Sequence, residues 1–359
     1  MIPLTRENVR QFLVHNRAIE ANTQVEIRTR VSSPSCLIMS VSAARGVFGS
    51  RFEIKQVRPL NRGGCPWPES LDRILNEMAF LEFCRTHACC NDRVKVPVLL
   101  FTDRPNYLYG STGLDWVWRS WSWRTELRRG NTNDRLAAEC GRFLGRLHGA
   151  SWDDGRRVAD LVDRRCLSVQ FVEPCVKIAR SAGPLGQGIE DSLDEMWNTR
   201  RCIVHGSFTD GTLPHWGTTL LASELAHYGD PALDAASFLA SLALGMLAVT
   251  ADKRAGILHM IHSFATAYTD ILQPMVGEET FALLRVRAMR LFAVCLLAAL
   301  ANDMSLSAHD ETVARTVARE MLLHPPTEWN EFEYALSRHI PVSVAVPAPW
   351  FREERLDFS

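Results

Sequence analysis

Apolar residues change their period once along this chain. Between residues 24 and 59 they fall in short β-type runs, QVEIRTRV, CLIMSVSA and SRFEIKQVRP, with Gly46 and Gly49 punctuating the last connection. These read as three antiparallel strands. A loop, NRGGCPWPE, leads to SLDRILNEMAFLEFCRTH, where Leu71, Ile74, Leu75, Met78 and Leu81 recur at helical spacing, and VKVPVLLF and NYLYG supply two more strands. A short helix is expected after Thr5, with Val9, Phe12 and Leu13 on one face. From Thr125 onward the period is helical almost throughout: LAAECGRFLGRLHGASW, residues 158–182, GIEDSLDEMWNTRR, and DAASFLASLALGMLAV onward to Asn302. One stretch breaks it, where CIVHGSF and TTLLAS look like small strands paired with each other. The expected fold class is α+β: a small antiparallel-sheet lobe over residues 1–110, an interlobe segment over 111–124, a mainly helical lobe over 125–324, and a tail over 325–359. The tail carries five prolines and is assigned no structure.

Composition narrows the function classes. The 359 residues suit two lobes at roughly 150 residues per unit. Forty Lys plus Arg against 41 Asp plus Glu leave a net charge of −1, without the global bias that nucleic-acid binding draws on, so no nucleic-acid partner is expected. The apolar run at 235–250 contains Ser and Gly and is short for a bilayer span; a buried helix and no membrane partner are expected. The opening residues, MIPLTRENVRQFLVHNR, lack an apolar segment before a small-residue cleavage site, so a cytoplasmic location is expected. The ten cysteines include no Cys-x-x-Cys pair; they read as reduced thiols, and no metal site is assigned.

The order of motifs carries a resemblance. The run FEIKQVRPLNRGGCPWPESLDRILNEMAFLEF, with a strand ending in Lys-Gln, a Trp-Pro and a helix bearing a buried Glu, resembles methylthioribose-kinase-like proteins of the aminoglycoside phosphotransferase superfamily. GRFLGRLHGASW resembles that family's linker helix, VHGSFTDGTL its catalytic loop, and ELAHYGDPALDAASFLA the segment after its metal-binding acid. The similarity covers roughly residues 4–302 and implies a two-lobed protein-kinase-like fold. It makes Lys55 the strand lysine that holds nucleotide phosphates and Glu77 its ion-pair partner. It makes His205, Asp230 and Asp234 structural residues of the loop, although His205 is also a candidate for proton transfer.

The departures from the family pattern are chemical. The resemblance places Ser207 where the family has the catalytic Asp and Thr212 where it has a metal-binding Asn. In the Asp-x-Glu motif that follows, the metal-binding Asp is replaced by Ala222, ahead of Ser223 and Glu224. Magnesium takes hard oxygen ligands, usually including one or two carboxylates, which neither Ala222 nor Thr212 supplies. Because phosphoryl transfer rests on positioning and charge neutralisation, these losses should lower its rate by orders of magnitude. Asp210 and Glu224 are the candidate substitutes for base and metal ligand.

The segment WVWRSWSWRTELRR sets Trp116, Trp118, Trp121 and Trp123 beside Arg119, Arg124, Arg128 and Arg129. Alternating aromatic and cationic groups suit stacking on a planar or peptide ligand and pairing with its anions; core filling by the Trp residues is the alternative. Three readings follow. The first is a pseudokinase that binds a small molecule, a peptide or a protein partner in its cleft, as an accessory or repurposed component of a biosynthetic pathway, with its cofactor unknown. The second is a divergent kinase using ATP and magnesium on a hydroxyl of a small molecule or a peptide Ser/Thr. The third is an enzyme running a non-phosphoryl reaction in the former nucleotide cleft.

Overall fold

In the computed structural model of the chain, which describes residues 1–33, 35–43, 51–62, 65–112, 122–155, 161, 163–213, 218–220, 223–302 and 306–343, the β-type runs assemble into one sheet. After helix α1 (Val9–His15) come β1 (Val25–Ser32), β2 (Cys36–Ala43) and β3 (Arg51–Val57), and two later strands, β7 (Leu99–Asp103) and β8 (Leu108–Thr112), complete the antiparallel order β1-β2-β3-β8-β7. The two-residue period of β3 decides the architecture. Phe52 and Ile54 point to one face, where Leu37, Met39, Val41 and Leu108 meet Val9 and Leu13 of α1 in a satellite core. Lys55 and Val57 point to the other, which α2 (Arg73–Thr86) covers. Gln56 ties the N-terminal segment to the sheet by accepting from Leu4 N–H and donating to the Ile2 and Asn106 carbonyls.

The NRGGCPWPE stretch, read from sequence as a loop, contains a hairpin of β4 (Leu60–Arg62) and β5 (Cys65–Trp67) on either side of Gly63-Gly64. A 3-10 turn at Pro68–Asp72 then delays the start of α2. VKVPVLLF is two strands: β6 (Val94–Lys95) and β7 (Leu99–Asp103), separated by Pro97, which has no N–H for a ladder. The turn at Arg104–Asn106 connects to β8 (Leu108–Thr112).

The helical lobe follows: α3 (Trp123–Arg128), α4 (Asp134–Ala150), a single turn α5 (Arg165–Leu167) that passes through a π-turn into α6 (Glu173–Ser181), and α7 (Gly186–Asn198). Next come β9 (Cys202–Val204), β10 (Thr218–Thr219), β11 (His227–Gly229), α8 (Ala232–Leu247), α9 (Ala251–Val276), α10 (Glu278–Leu300) and α11 (Ala308–Leu323). The expected pairing within CIVHGSF and TTLLAS is not found. β9 pairs antiparallel with β11, and β10 pairs parallel with β6 from the sheet lobe. Two-residue strands have no period of their own, so tertiary contact chooses their partners. In the tail, α12 (Trp329–His339) begins with a capping box between Glu328 and Glu331 and packs Phe332 and Leu336 into the core.

The main hydrophobic cluster is continuous from α2 into the helical lobe. α4 lies directly along α9 because two glycines allow it: a Cβ on Gly141 would stand 2.4 Å from the Phe264 carbonyl oxygen, and one on Gly145 would stand 2.8 Å from Ile271 Cβ. The apolar run at 235–250 is the buried helix α8, whose residues are almost all inaccessible. Among the described residues no helix is long and apolar enough to cross a membrane. The whole is the two-lobed, α+β kinase-like arrangement that the sequence implied.

Candidate active site

Between the lobes Lys55 is held by two carboxylates. Its Nζ donates to Glu77 Oε2 at 2.7 Å and Oε1 at 2.9 Å, and stands 2.8 Å from Glu224 Oε1. Tyr109, opposite Lys55 in the β3–β8 register, donates its hydroxyl to Glu77 Oε1 at 3.1 Å. Arg73, one helical turn ahead of Glu77 on α2, extends the chain of ion pairs by pairing its Nε with Glu224 Oε2. The same guanidinium donates to the carbonyls of Ser70, Ser35 and Arg58, so its side chain is fully enclosed. The result is two cations and two carboxylates paired with one another, Arg73 and Glu77 fully enclosed and Lys55 and Glu224 half-buried.

The titration directions follow from that enclosure. Burial disfavours the charged form of Lys55, but Glu77 and Glu224 outweigh it and hold the ammonium above its usual range. Burial likewise works to raise Glu224, and Lys55 and Arg73 override it, leaving that carboxyl below its usual range. For Glu77 burial dominates over the pull of Lys55, and its pKa is raised.

The segment equivalent to the catalytic loop is pinned from behind. Gly206 has φ +79°, and a Cβ there would stand 2.3 Å from the Leu225 carbonyl oxygen, so only glycine fits. Asp234 of α8 accepts the His205 N–H at 2.7 Å, the Gly206 N–H at 2.8 Å and His148 Nε2 at 3.3 Å, while His148 Nδ1 meets the Tyr268 hydroxyl. The fully buried His205 ring packs edge-on against Phe80 and Phe208. Asp230 is likewise buried and paired with Arg287.

In front of that brace, the hydroxyls of Ser207 and Thr212 are each turned onto a neighbour. Ser207 Oγ pairs with Ser223 Oγ at 2.9 Å. Thr212 Oγ1 donates to the Thr209 carbonyl at 2.7 Å inside a one-turn 3-10 helix. Asp210 is buried, its Oδ1 accepting from Arg124 Nε at 3.0 Å and Nη2 at 2.8 Å, its N–H donating to Ser241 Oγ. Burial outweighs the Arg124 ion pair and raises the Asp210 pKa.

Magnesium does not fit this donor set. Both Glu224 oxygens are engaged by cations, Asp210 Oδ1 is engaged by Arg124, and the two hydroxyls are turned onto neighbours. Among the described residues no group of three or more His, Cys, Asp or Glu side chains is placed to hold a metal ion.

The structure thus brings together Lys55, Glu77 and Glu224, and sets Asp210 apart with Arg124. Ala222, Trp116, Trp118, Arg119 and Trp121 lie outside the described residues. Trp123 does not face a ligand: it is fully buried against Phe238, so core filling is its role. Sequence reasoning missed Arg73, Tyr109 and Ser223. Arg73 was within reach, because positions i and i+4 share a helix face and Glu77 was already singled out.

Two adjoining cavities lie beside the loop. One, of about 230 Å³, includes Gly206, Ser207, Thr209, Phe171, Leu225 and Cys295 in its lining. The other, of about 390 Å³, includes Arg128, Asp210, Gly245 and Asn302. Arg124, Ser241, Leu244 and Ala299 line both.

The β11 residue behind the loop predicts an acid response. His227 is 2% exposed, and burial lowers its pKa from 6.5 to about 4, with Nδ1 at 2.7 Å from the Leu225 carbonyl. The unfolded chain therefore takes up a proton below pH 6.5 that the folded chain refuses. The stability His227 contributes is complete above that pH and falls by about 3 kcal/mol as the pH drops to 4. Urea midpoints of wild type and His227→Gln across pH 4–7 check this: the wild-type curve should be the steeper, and parallel curves would contradict it.

A small antiparallel lobe on a helical lobe, with a strand lysine paired to a helix glutamate and a braced His-Gly loop, is the layout of a phosphotransferase. Residues 61–260, more than half of the chain, match the sequence profile of the phosphotransferase enzyme family (APH), and the chain belongs to that family. Among solved structures it is similar to an amicoumacin kinase, hAmiN, in complex with AMP-PNP, Ca²⁺ and Ami, at 13% identity and a TM-score of 0.49 over 91% of this chain and 99% of that one. It is similar to a macrolide 2′-phosphotransferase type I at 13% identity and a TM-score of 0.43, over 90% and 99%. It is also similar to a choline kinase from Cryptosporidium parvum at 10% identity and a TM-score of 0.44, over 93% and 94%. No curated protein sequence matches the chain significantly.

Proposed function

We propose that this phosphotransferase-family chain is a pseudokinase: it binds a ligand or partner in its cleft and transfers no phosphate. The observation that carries this reading is the ion-pair chain Glu77–Lys55–Glu224–Arg73, in which the group that would hold nucleotide phosphates already has two carboxylates. A phosphate arriving there competes with Glu224, a carboxylate fixed in place by a second buried cation. Ser207 offers a hydroxyl where a carboxylate base is needed, and among the described residues no group of three or more His, Cys, Asp or Glu side chains is placed to hold magnesium. A single group that neutralises transition-state charge in phosphoryl transfer is worth about 10³–10⁵ in rate, so losing base and metal ligands together removes the activity.

The second reading, a divergent ATP-dependent kinase, has the intact Lys55–Glu77 pair in its favour. It requires Asp210 to leave Arg124 and Glu224 to leave Lys55. Single-turnover assays with γ-labelled ATP, magnesium or manganese and excess protein separate the two. Wild type, Lys55→Ala and Asp210→Asn are all expected to release label at the buffer rate. Release by wild type that both variants abolish would establish the kinase instead.

A further inference from the structure

Helix α2 ends in a turn that sets one cysteine against another. Ala88 takes the left-handed conformation at φ +50°, and the Cys89 N–H donates to the Cys84 carbonyl at 3.2 Å, closing the turn as a Schellman motif does. That bond folds Cys89 back over the last turn of the helix, the approach from which the motif's usual side-chain contact arises. Here the contact is between two thiols: the Cys84 sulfhydryl donates to Cys89 Sγ, and both residues are fully buried. The neighbouring Arg85, Thr86 and Ala88 are exposed, so the pair lies close to the surface. Cys90 is turned elsewhere, its sulfur accepting the Val96 N–H.

We infer that Cys84 and Cys89 are a modification site, at which a small hydroperoxide converts the thiol pair to a disulfide across the C-terminal turn of α2. A disulfide needs Cα atoms about 4.4–6.8 Å apart and converging Cβ atoms, which a residue folded back over the helix end supplies. The two sulfurs are unlike. Burial, with the hydrogen bond given to Cys89, holds the Cys84 thiol well above the usual range; accepting that bond, against burial and helped by Arg146, brings Cys89 below it. Cys89 is therefore the nucleophile. Its thiolate attacks one peroxide oxygen, the O–O bond breaks, and the departing hydroxide takes a proton to leave as water, with Cys89 left as the sulfenic acid. Cys84 sulfur then attacks Cys89 sulfur; the S–O bond breaks as the S–S bond forms, and the hydroxide leaves with the Cys84 proton as a second water. Two thiols are oxidised and one peroxide is reduced. Enclosure selects a small oxidant, and the bridge fixes the far end of the helix that carries Arg73 and Glu77.

The test exposes the reduced full chain to hydrogen peroxide, blocks the remaining thiols with N-ethylmaleimide in denaturant and maps the tryptic peptides by mass, with Cys89→Ser and Cys90→Ser alongside. Trypsin cuts after Arg73, Arg85 and Arg93, so the bridge appears as peptide 74–85 joined to peptide 86–93, two hydrogens below their sum, and dithiothreitol separates them. Wild type and Cys90→Ser should give that species, and Cys89→Ser should not. Should the buried Cys89→Ser fail to fold, Cys90→Ser still decides, because it leaves Cys89 as the one cysteine of the second peptide. Hydrogen peroxide should form the bridge about tenfold faster than the bulkier cumene hydroperoxide. Recovery of both cysteines as maleimide adducts, oxidation that runs to the sulfinic acid, a bridge that Cys90→Ser removes, or equal rates with the two peroxides would overturn the inference.

Discussion

Replacing Arg73 with methionine is expected to destabilise the chain by about 3–5 kcal/mol, with a urea midpoint shifted accordingly and a slope unchanged. The guanidinium is fully enclosed and makes four contacts: the Glu224 carboxylate and the carbonyls of Ser70, Ser35 and Arg58. Methionine matches much of its volume but leaves Glu224 half-neutralised and takes a donor from the Ser70, Ser35 and Arg58 carbonyls, of which Ser35 keeps the Arg58 N–H. If the chain of ion pairs is cooperative, Glu224→Gln in the Arg73→Met background costs much less than Glu224→Gln alone, because the carboxylate no longer has that cation to lose. A cost below 1 kcal/mol for Arg73→Met would mean that the network contributes little to the fold, and with it would go the argument that Glu224 is fixed in place.

Asp234→Ala is expected to have an effect of similar size for a different reason. The buried carboxylate accepts two backbone N–H groups of the loop and a ring nitrogen of His148. Burial works against its ionisation, and the contacts with His148 and His205 outweigh it, so its pKa lies below the usual carboxylate range. Alanine would leave two buried donors unsatisfied at about 1–3 kcal/mol each and would release Gly206 and Ser207 from α8. The loss should be about 4 kcal/mol in urea unfolding, with faster amide hydrogen exchange at Gly206. Asp234→Asn, which keeps one acceptor in place, should lose markedly less. Equal losses in the two variants would show that charge, not loop anchoring, is what the position supplies.

How much of this was legible before the structure depends on whether a feature had a period. The strict alternation of CLIMSVSA sets every second residue of β2 into the core, and the helical spacing in the run after Pro68 marks the face that α2 buries. The Lys55–Glu77 pair followed from the resemblance. The hairpin around Gly63-Gly64 had a sequence signal, since a Gly-Gly between short strands marks a tight turn. The tail helix had one too: Phe332, Ala335 and Leu336 recur at helical spacing, overshadowed by the prolines around them. The β6–β10 pairing had none, because it joins two-residue strands far apart in the chain. Nor could spacing reveal that Glu224 would turn to Lys55 and Arg73, or that Asp210 would be taken by Arg124. Those partners come from other elements, and only the packed lobes bring them together.

The central claim is that this cleft has no metal-assisted way to hold and transfer a phosphate. Calorimetric titration of ATP into the wild-type chain, in EDTA and again in magnesium, tests it most directly, with Lys55→Ala and Asp210→Asn alongside. The account predicts that magnesium makes no difference in any of the three: the isotherms coincide, or no heat is seen in either buffer. Binding that magnesium strengthens and that both substitutions abolish would contradict it, and would restore this chain to the catalytic members of its family.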